Sequence, residues 1–201
     1  METPDLDLKD KTPKIRMLND IRDVVYDKDW LNSAKDFELY YMYGDLIEDE
    51  NVKYSITVVP PNTLGNEFIK TKGHAHIGDY QETYTVLEGE AIYLMQKTED
   101  NEVKDVYAVK AKQSQSIIIP EGYGHVTINA SNQTLKTGDW RHKDCKSDYS
   151  MFEKLQGACY YYVLENGGAK WIKNENYKNI PELRFEEPLE SLPENLDFLK
   201  Q

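Results

Sequence analysis

The chain predicts an all-β fold, closed as a barrel or sandwich, on three observations. From residue 54 onward, short apolar segments alternate at close spacing with turn residues. The composition includes 15 Tyr, a residue suited to pleated, half-buried surfaces because it joins a broad ring to a polar tip. Helical patterning is confined to the first 50 residues, where 16–24 is a short candidate. At 201 residues one good core can be buried, so one domain with extensions is expected rather than two.

Residues 1–50 are expected to form an N-terminal extension packed on the barrel. Within it, DWLNSAKDFELYYMY has apolar positions that suit either a helix or an edge strand. The barrel itself is assigned to 51–175. It opens on YSITVV, turns at PPNTLGN and continues through EFIKTKG and ETYTVL. After EGE come AIYLMQK, the turn TEDNE, VKDVYAV, SQSIII, the turn PEGYG and HVTIN. QTLKTGDW and ACYYYVL read as further strands, with NGG as a hairpin turn into AKWI. The last segment, 176–201, is acidic and punctuated by Pro, and is expected to lie on the surface or on a partner.

Charge excludes several functions. With 24 basic against 36 acidic residues the net charge is -12, and no basic cluster could follow a phosphate backbone, so nucleic acid is not an expected partner. No apolar run approaches the roughly 20 residues that span a bilayer, and the start METPDLDLKD is too acidic for a signal peptide. A cytoplasmic protein without a membrane partner is expected. Cys145 and Cys159 are then reduced thiols with no assigned role.

The chemistry concentrates at KTKGHAHIGDYQETYTVLEGE, residues 70–90. Residues i and i+2 of an extended segment share a face, so His74 and His76 can aim two imidazoles at one point. Glu82 follows, and a bend at Ile77-Gly78-Asp79 would return its carboxylate beside them. In PEGYGHVTIN, Pro120 and Gly122 make a turn and His125 starts a β-branched strand. Three imidazoles with one carboxylate suit Fe, Mn, Ni, Co or Zn, and geometry rather than affinity selects among them. Alone, the histidine pair would read as two polar side chains on the surface, and the second motif reverses that. His142, in WRHKDCKSD, reads as a solvated loop residue.

His74 and His76, Glu82 after five intervening residues and Gly89 after six more form a first motif, followed by Pro120, Gly122, His125 and Asn129 as a second. Together they resemble the two motifs of the cupin superfamily, which implies a double-stranded β-helix, or jelly-roll barrel. Two glycines that the superfamily pattern expects are Phe68 and Ser114 here. With ITVVPPNTLGNEF upstream and SDYSMFEKLQG downstream, residues 40–180 look like the cupin-type glucose-6-phosphate isomerases. That resemblance implies one divalent metal per subunit on His74, His76, Glu82 and His125, with iron as first choice. It also implies a sugar phosphate held by Thr57, Thr71 and Gly73 among the aromatic residues Tyr40, Tyr84, Trp140 and Tyr149, and a homodimer. Trp140 stands where the family usually has Tyr, and an indole cannot accept a hydrogen bond.

Interconverting an aldose and a ketose moves a proton between neighbouring carbons through an enediolate, so it needs a base and positive charge beside two vicinal oxygens. Glu82 is the candidate base, aided by Tyr84 on the same strand face, although coordination weakens a carboxylate as a base. A hydride shift is the alternative. Lys72 is a candidate phosphate contact: strict alternation puts it on the histidine face and Thr71 opposite, and a bend at Gly73 would exchange the two. A cupin dioxygenase and a non-catalytic sugar-binding cupin are the competing readings.

Overall fold

The computed structural model describes residues 3–4 and 6–200, so the outermost parts of both expected extensions, residues 1, 2, 5 and 201, lie outside the described residues. The strands in chain order are β1 (Lys14–Met17), β2 (Glu38–Glu48), β3 (Val52–Val59), β4 (Thr63–Leu64), β5 (Glu67–Phe68), β6 (Ala75–Ile77), β7 (Glu82–Glu88) and β8 (Glu90–Glu99). They continue as β9 (Glu102–Lys112), β10 (Ser116–Ile119), β11 (Tyr123–Ile128), β12 (Leu135–His142), β13 (Lys146–Asp148), β14 (Tyr160–Glu165), β15 (Gly168–Lys173) and β16 (Arg184–Glu186). Among the described residues two short α-helices, α1 (Lys28–Ser33) and α2 (Ser150–Lys154), complete an all-β barrel, the fold class expected from the sequence.

One sheet runs β1-β2-β3-β12-β7-β10 and faces a second, β11-β8-β9-β16, across a core of residues such as Tyr93, Met95, Val126 and Ile119. The expected boundary near residue 50 falls inside the first sheet, because β2 pairs with β3 from Tyr41↔Val58 to Glu48↔Lys53. The candidate helix at 16–24 divides into the end of β1 and two single turns of 3-10 helix, Leu18–Asp20 and Arg22–Val24. DWLNSAKDFELYYMY contains both of its alternatives: Asp27 caps α1 by accepting from Trp30 N–H at 2.9 Å, and β2 follows.

Turn chemistry sets the hairpins. Asp100 and Asn101 both adopt positive φ between β8 and β9, as Asn166 and Gly167 do between β14 and β15, which is the geometry whose twist matches paired strands. Ser114 occupies the left-handed region at φ 72, so one of the two absent superfamily glycines leaves a strained side chain behind. Ser114→Gly should raise stability by about 1 kcal/mol, read as a higher denaturation midpoint at unchanged slope. No such strain arises at Phe68, whose ring stacks on Tyr162 at 5.0 Å.

The C-terminal segment packs on the barrel in two ways. β16 pairs in parallel with β9, and Leu192, Leu196 and Leu199 join Tyr54, Ile56 and Trp140 in a second apolar cluster outside the six-stranded sheet. Elsewhere, Lys70 is buried. Its ammonium donates to Val24 O at 2.7 Å and to Glu67 Oε1 at 2.5 Å, 4.9 Å from the centroid of the Tyr161 ring. Glu67, also buried, accepts a further hydrogen bond from Tyr26 N–H at 2.8 Å.

Candidate functional site

The site lies between the two sheets, where β6 and β11 face β7 and β12. Backbone hydrogen bonds in both directions between His74 and His125, 3.2 and 2.9 Å, fix the approach to β6 against β11. Gly73 makes that approach possible: its φ is +82, and a Cβ there would stand 2.6 Å from Val126 Cγ2 and 2.7 Å from Phe152 Cδ1. The chain then bends at Gly78, φ +91, and brings Glu82 back as the first residue of β7. The same bend places the Tyr80 carbonyl 2.9 Å from His76 Nδ1, which assigns the proton to Nδ1 and leaves Nε2 pointing inward.

One ligand atom from each of His74, His76, Glu82 and His125 lies within 4.8 Å of the others. Glu82 Oε2 is 3.1 Å from His76 Nε2 and 3.4 Å from His125 Nε2, with the carboxylate fully buried. Tyr84 OH stands 3.2 Å from the same nitrogen of His125.

Electrostatics fit a cation. Burial pushes His74 down to about 4 and holds His125 well below the usual imidazole range, so both keep their lone pairs at neutral pH. For His76, burial acts downward, but Cys145 and Glu82 outweigh it and raise the ring to about 11. Burial alone would raise Glu82, whereas His76, His125 and Arg141 together hold it well below the carboxylate range. Without a metal, the proton that His76 retains is the positive charge facing ionised Glu82, and a divalent ion can replace it because metal binding releases the proton and frees Nε2 as a third imidazole donor. The four residues therefore fit a metal.

A cavity of about 140 Å³ opens beside this cluster. Tyr40, Thr57, Thr71, Lys72, Gly73, Tyr84 and Tyr149 all line it, together with His74 and His125. Thr71 and Lys72 both reach it, since the turn at Gly73 breaks the strict alternation of faces. Thr71 Oγ1 accepts from Thr127 N–H at 3.0 Å, and Tyr40 OH accepts from Lys72 N–H at 3.1 Å. Lys72 Nζ is drawn toward Glu153 at 2.6 Å.

Trp140 is a correction. It pairs with Thr83, whose neighbours Glu82 and Tyr84 face inward, so its indole points out of the barrel and packs on Tyr54 at 4.8 Å. Its neighbours on β12 take the inner face instead. Asp139 lies opposite Tyr84 and Arg141 opposite Glu82, and both line the cavity. Arg141 Nη1 donates to Glu82 Oε1 at 3.3 Å and to Asp139. Burial first, and then Glu82, push Asp139 up to about 8 against the pull of Arg141. Neither residue is marked by the motifs, and the signal available was their i, i+2 spacing in LKTGDWRH. His142 also differs from expectation: it ends β12 and stacks on Tyr80 at 5.2 Å.

The profile of the family described as "Glucose-6-phosphate isomerase (GPI)" matches residues 16–180. The chain belongs to the glucose-6-phosphate isomerase family. Curated glucose-6-phosphate isomerases from Pyrococcus horikoshii and Thermococcus onnurineus are each 26% identical, the first over 171 residues covering 82% of this chain and 88% of its own length, the second over 169 residues covering 82% and 87%. A third, from Pyrococcus furiosus, is 26% identical over 170 residues. Family membership makes this chain an isomerase, and the match takes in all four clustered ligands and every cavity residue named above. Among solved structures, a cupin domain from Bordetella pertussis overlaps at TM-score 0.38 and 19% identity, covering 52% of this chain and 94% of that one.

Proposed function

We propose that this protein is a metal-dependent isomerase that interconverts glucose 6-phosphate and fructose 6-phosphate, with one divalent ion per subunit, iron first, in a homodimer. The observation that carries the reading is the convergence of His74, His76, Glu82 and His125 on one point at the wall of a cavity lined by hydroxyls and aromatic rings. Bound there, the ion would act as a Lewis acid toward the oxygens on the two reacting carbons.

The protein residues have separable tasks. Glu82 carries the proton between the carbons: its ionised carboxylate is held from one side by His76 and from the other by Arg141. Tyr84, two residues along the same face, presents its hydroxyl to the cavity as a donor to a substrate oxygen. Burial keeps this phenol well above its ordinary range, so it donates rather than ionises. Thr57, Thr71 and the amide of Gly73 receive the phosphate, where a glycine lets backbone and anion approach closely. Lys72 and the rings of Tyr40 and Tyr149 close that end of the cavity.

A coupled assay on metal-stripped protein, with Fe, Mn, Ni, Co and Zn restored separately, tests the reading. Turnover of fructose 6-phosphate should be absent without metal and return with at least one ion, and His74→Ala should lose metal content and rate together. Full turnover in metal-stripped protein would overturn it.

A further inference from the structure

Arg16 has no part in the chemistry above, and its surroundings are unusual for this chain. Acidic residues outnumber basic ones 36 to 24, so an arginine finds a partner easily. Arg141 donates to Asp139 and Glu82, Arg184 to Asp105 and Glu186, and Arg22 to the Leu31 carbonyl. Among the described residues Arg16 forms no ion pair with a carboxylate: its side chain meets the neutral phenol of Tyr40, and its Nε is buried without a hydrogen-bond partner.

Its position is equally specific. Arg16 lies opposite Tyr40 in the β1–β2 ladder, and its guanidinium carbon is 5.7 Å from the centroid of the Tyr149 ring. Lys72 Nζ stands 5.6 Å from that same centroid. Tyr40 and Tyr149 both line the cavity, so two cations flank the aromatic wall at one end of it. Glu153 offsets Lys72, whereas no carboxylate among the described residues pairs with Arg16, which has only the uncharged Tyr40 hydroxyl beside it. Like charges gathered around one wall are relieved by an anion between them, and a guanidinium fork matches the geometry of phosphate oxygens.

We propose that Arg16 is a specificity-determining residue that binds the phosphate of the substrate at the Tyr40–Tyr149 end of the cavity. The proposal rests on the sugar-phosphate reading above. Arg16 stands beside the two rings rather than lining the cavity, so binding the phosphate requires its side chain to turn toward the mouth past Tyr149. It supplies the charge that the neutral hydroxyls of Thr57 and Thr71 lack, which matters because a chain of net charge -12 repels a dianion at long range.

The test is calorimetric binding of glucitol 6-phosphate and of glucitol, neither of which can isomerise, to the metal-loaded protein. Arg16→Met keeps the apolar stem against Tyr149 and removes the fork. It should weaken glucitol 6-phosphate by about 10- to 100-fold, the range for a lost charge-assisted hydrogen bond, and leave glucitol unchanged. Arg16→Lys should fall between the two, and KM for fructose 6-phosphate should rise far more than kcat falls. A role in packing alone predicts that Arg16→Met binds glucitol 6-phosphate within twofold of wild type, and that result would overturn the proposal. Calorimetry reads binding rather than turnover, so Arg16-dependent binding in a protein that converts nothing would sink the isomerase reading and leave Arg16 standing.

Discussion

Glu82→Gln, loaded to full metal occupancy, is expected to turn over fructose 6-phosphate about 10²- to 10⁴-fold more slowly than wild type, the range attributed to a positioned acid or base. Gln keeps the shape of the side chain and an oxygen that can still accept from Arg141, so the cavity wall is preserved. It cannot take a proton from carbon. Metal affinity falls as well, because a neutral amide replaces a buried carboxylate facing two imidazoles, so occupancy has to be measured by elemental analysis at saturating metal before rates are compared. The low basicity of Glu82 is the strongest argument against this assignment: His76, His125 and Arg141 stabilise its ionised form even though burial opposes them. Wild-type turnover at full occupancy would move the base elsewhere. Asp139, opposite Tyr84 in the same cavity and pushed up to about 8, would be the next carboxyl to examine.

How far the site could be read from sequence follows from the range of each interaction. His74 and His76 are adjacent on one strand face, Glu82 returns across a bend whose Gly78 is visible in the chain, and His125 follows a Pro-Gly turn. Each of these placements is set by local geometry. Trp140 shows where locality stops helping. The residue that faces the cavity is one position on, Arg141, and with a side-chain period of two a slip of one residue exchanges the inner face for the outer. Arg141 and Asp139 acquire their meaning only through register with Glu82 and Tyr84 on β7, more than fifty residues away in the chain. Arg16 depends on β1 pairing with β2, and Tyr149 reaches it from the start of α2. The strands after residue 54 were legible because turn residues separate them, whereas DWLNSAKDFELYYMY was ambiguous because it holds a capped helix and a strand end to end.

Lys70→Met should destabilise the protein by about 3–5 kcal/mol at neutral pH, the range for breaking a buried ion pair on one side. That is a large share of the roughly 5–15 kcal/mol that holds a domain folded. Methionine fills similar space and keeps contact with the Tyr161 ring, so the loss is electrostatic: Glu67 remains buried with only Tyr26 N–H to satisfy it, and Val24 loses its donor. The pH dependence separates this from a packing defect. Burial raises Glu67 above its ordinary value even with Lys70 in place, so the folded state holds that proton more tightly than the unfolded state does. Stability from this group is therefore complete below the unfolded value near 4.5 and is lost as pH rises through the folded one. Removing Lys70 takes away the main opposing charge and lifts the folded value further, which widens that window upward. The deficit of Lys70→Met, measured by denaturant unfolding, should thus shrink between pH 7 and pH 5, and Glu67→Gln combined with Lys70→Met should recover most of it at pH 7. A packing defect predicts the same loss at both pH values and no recovery in the double variant, because neither a proton nor an amide at Glu67 refills space around residue 70.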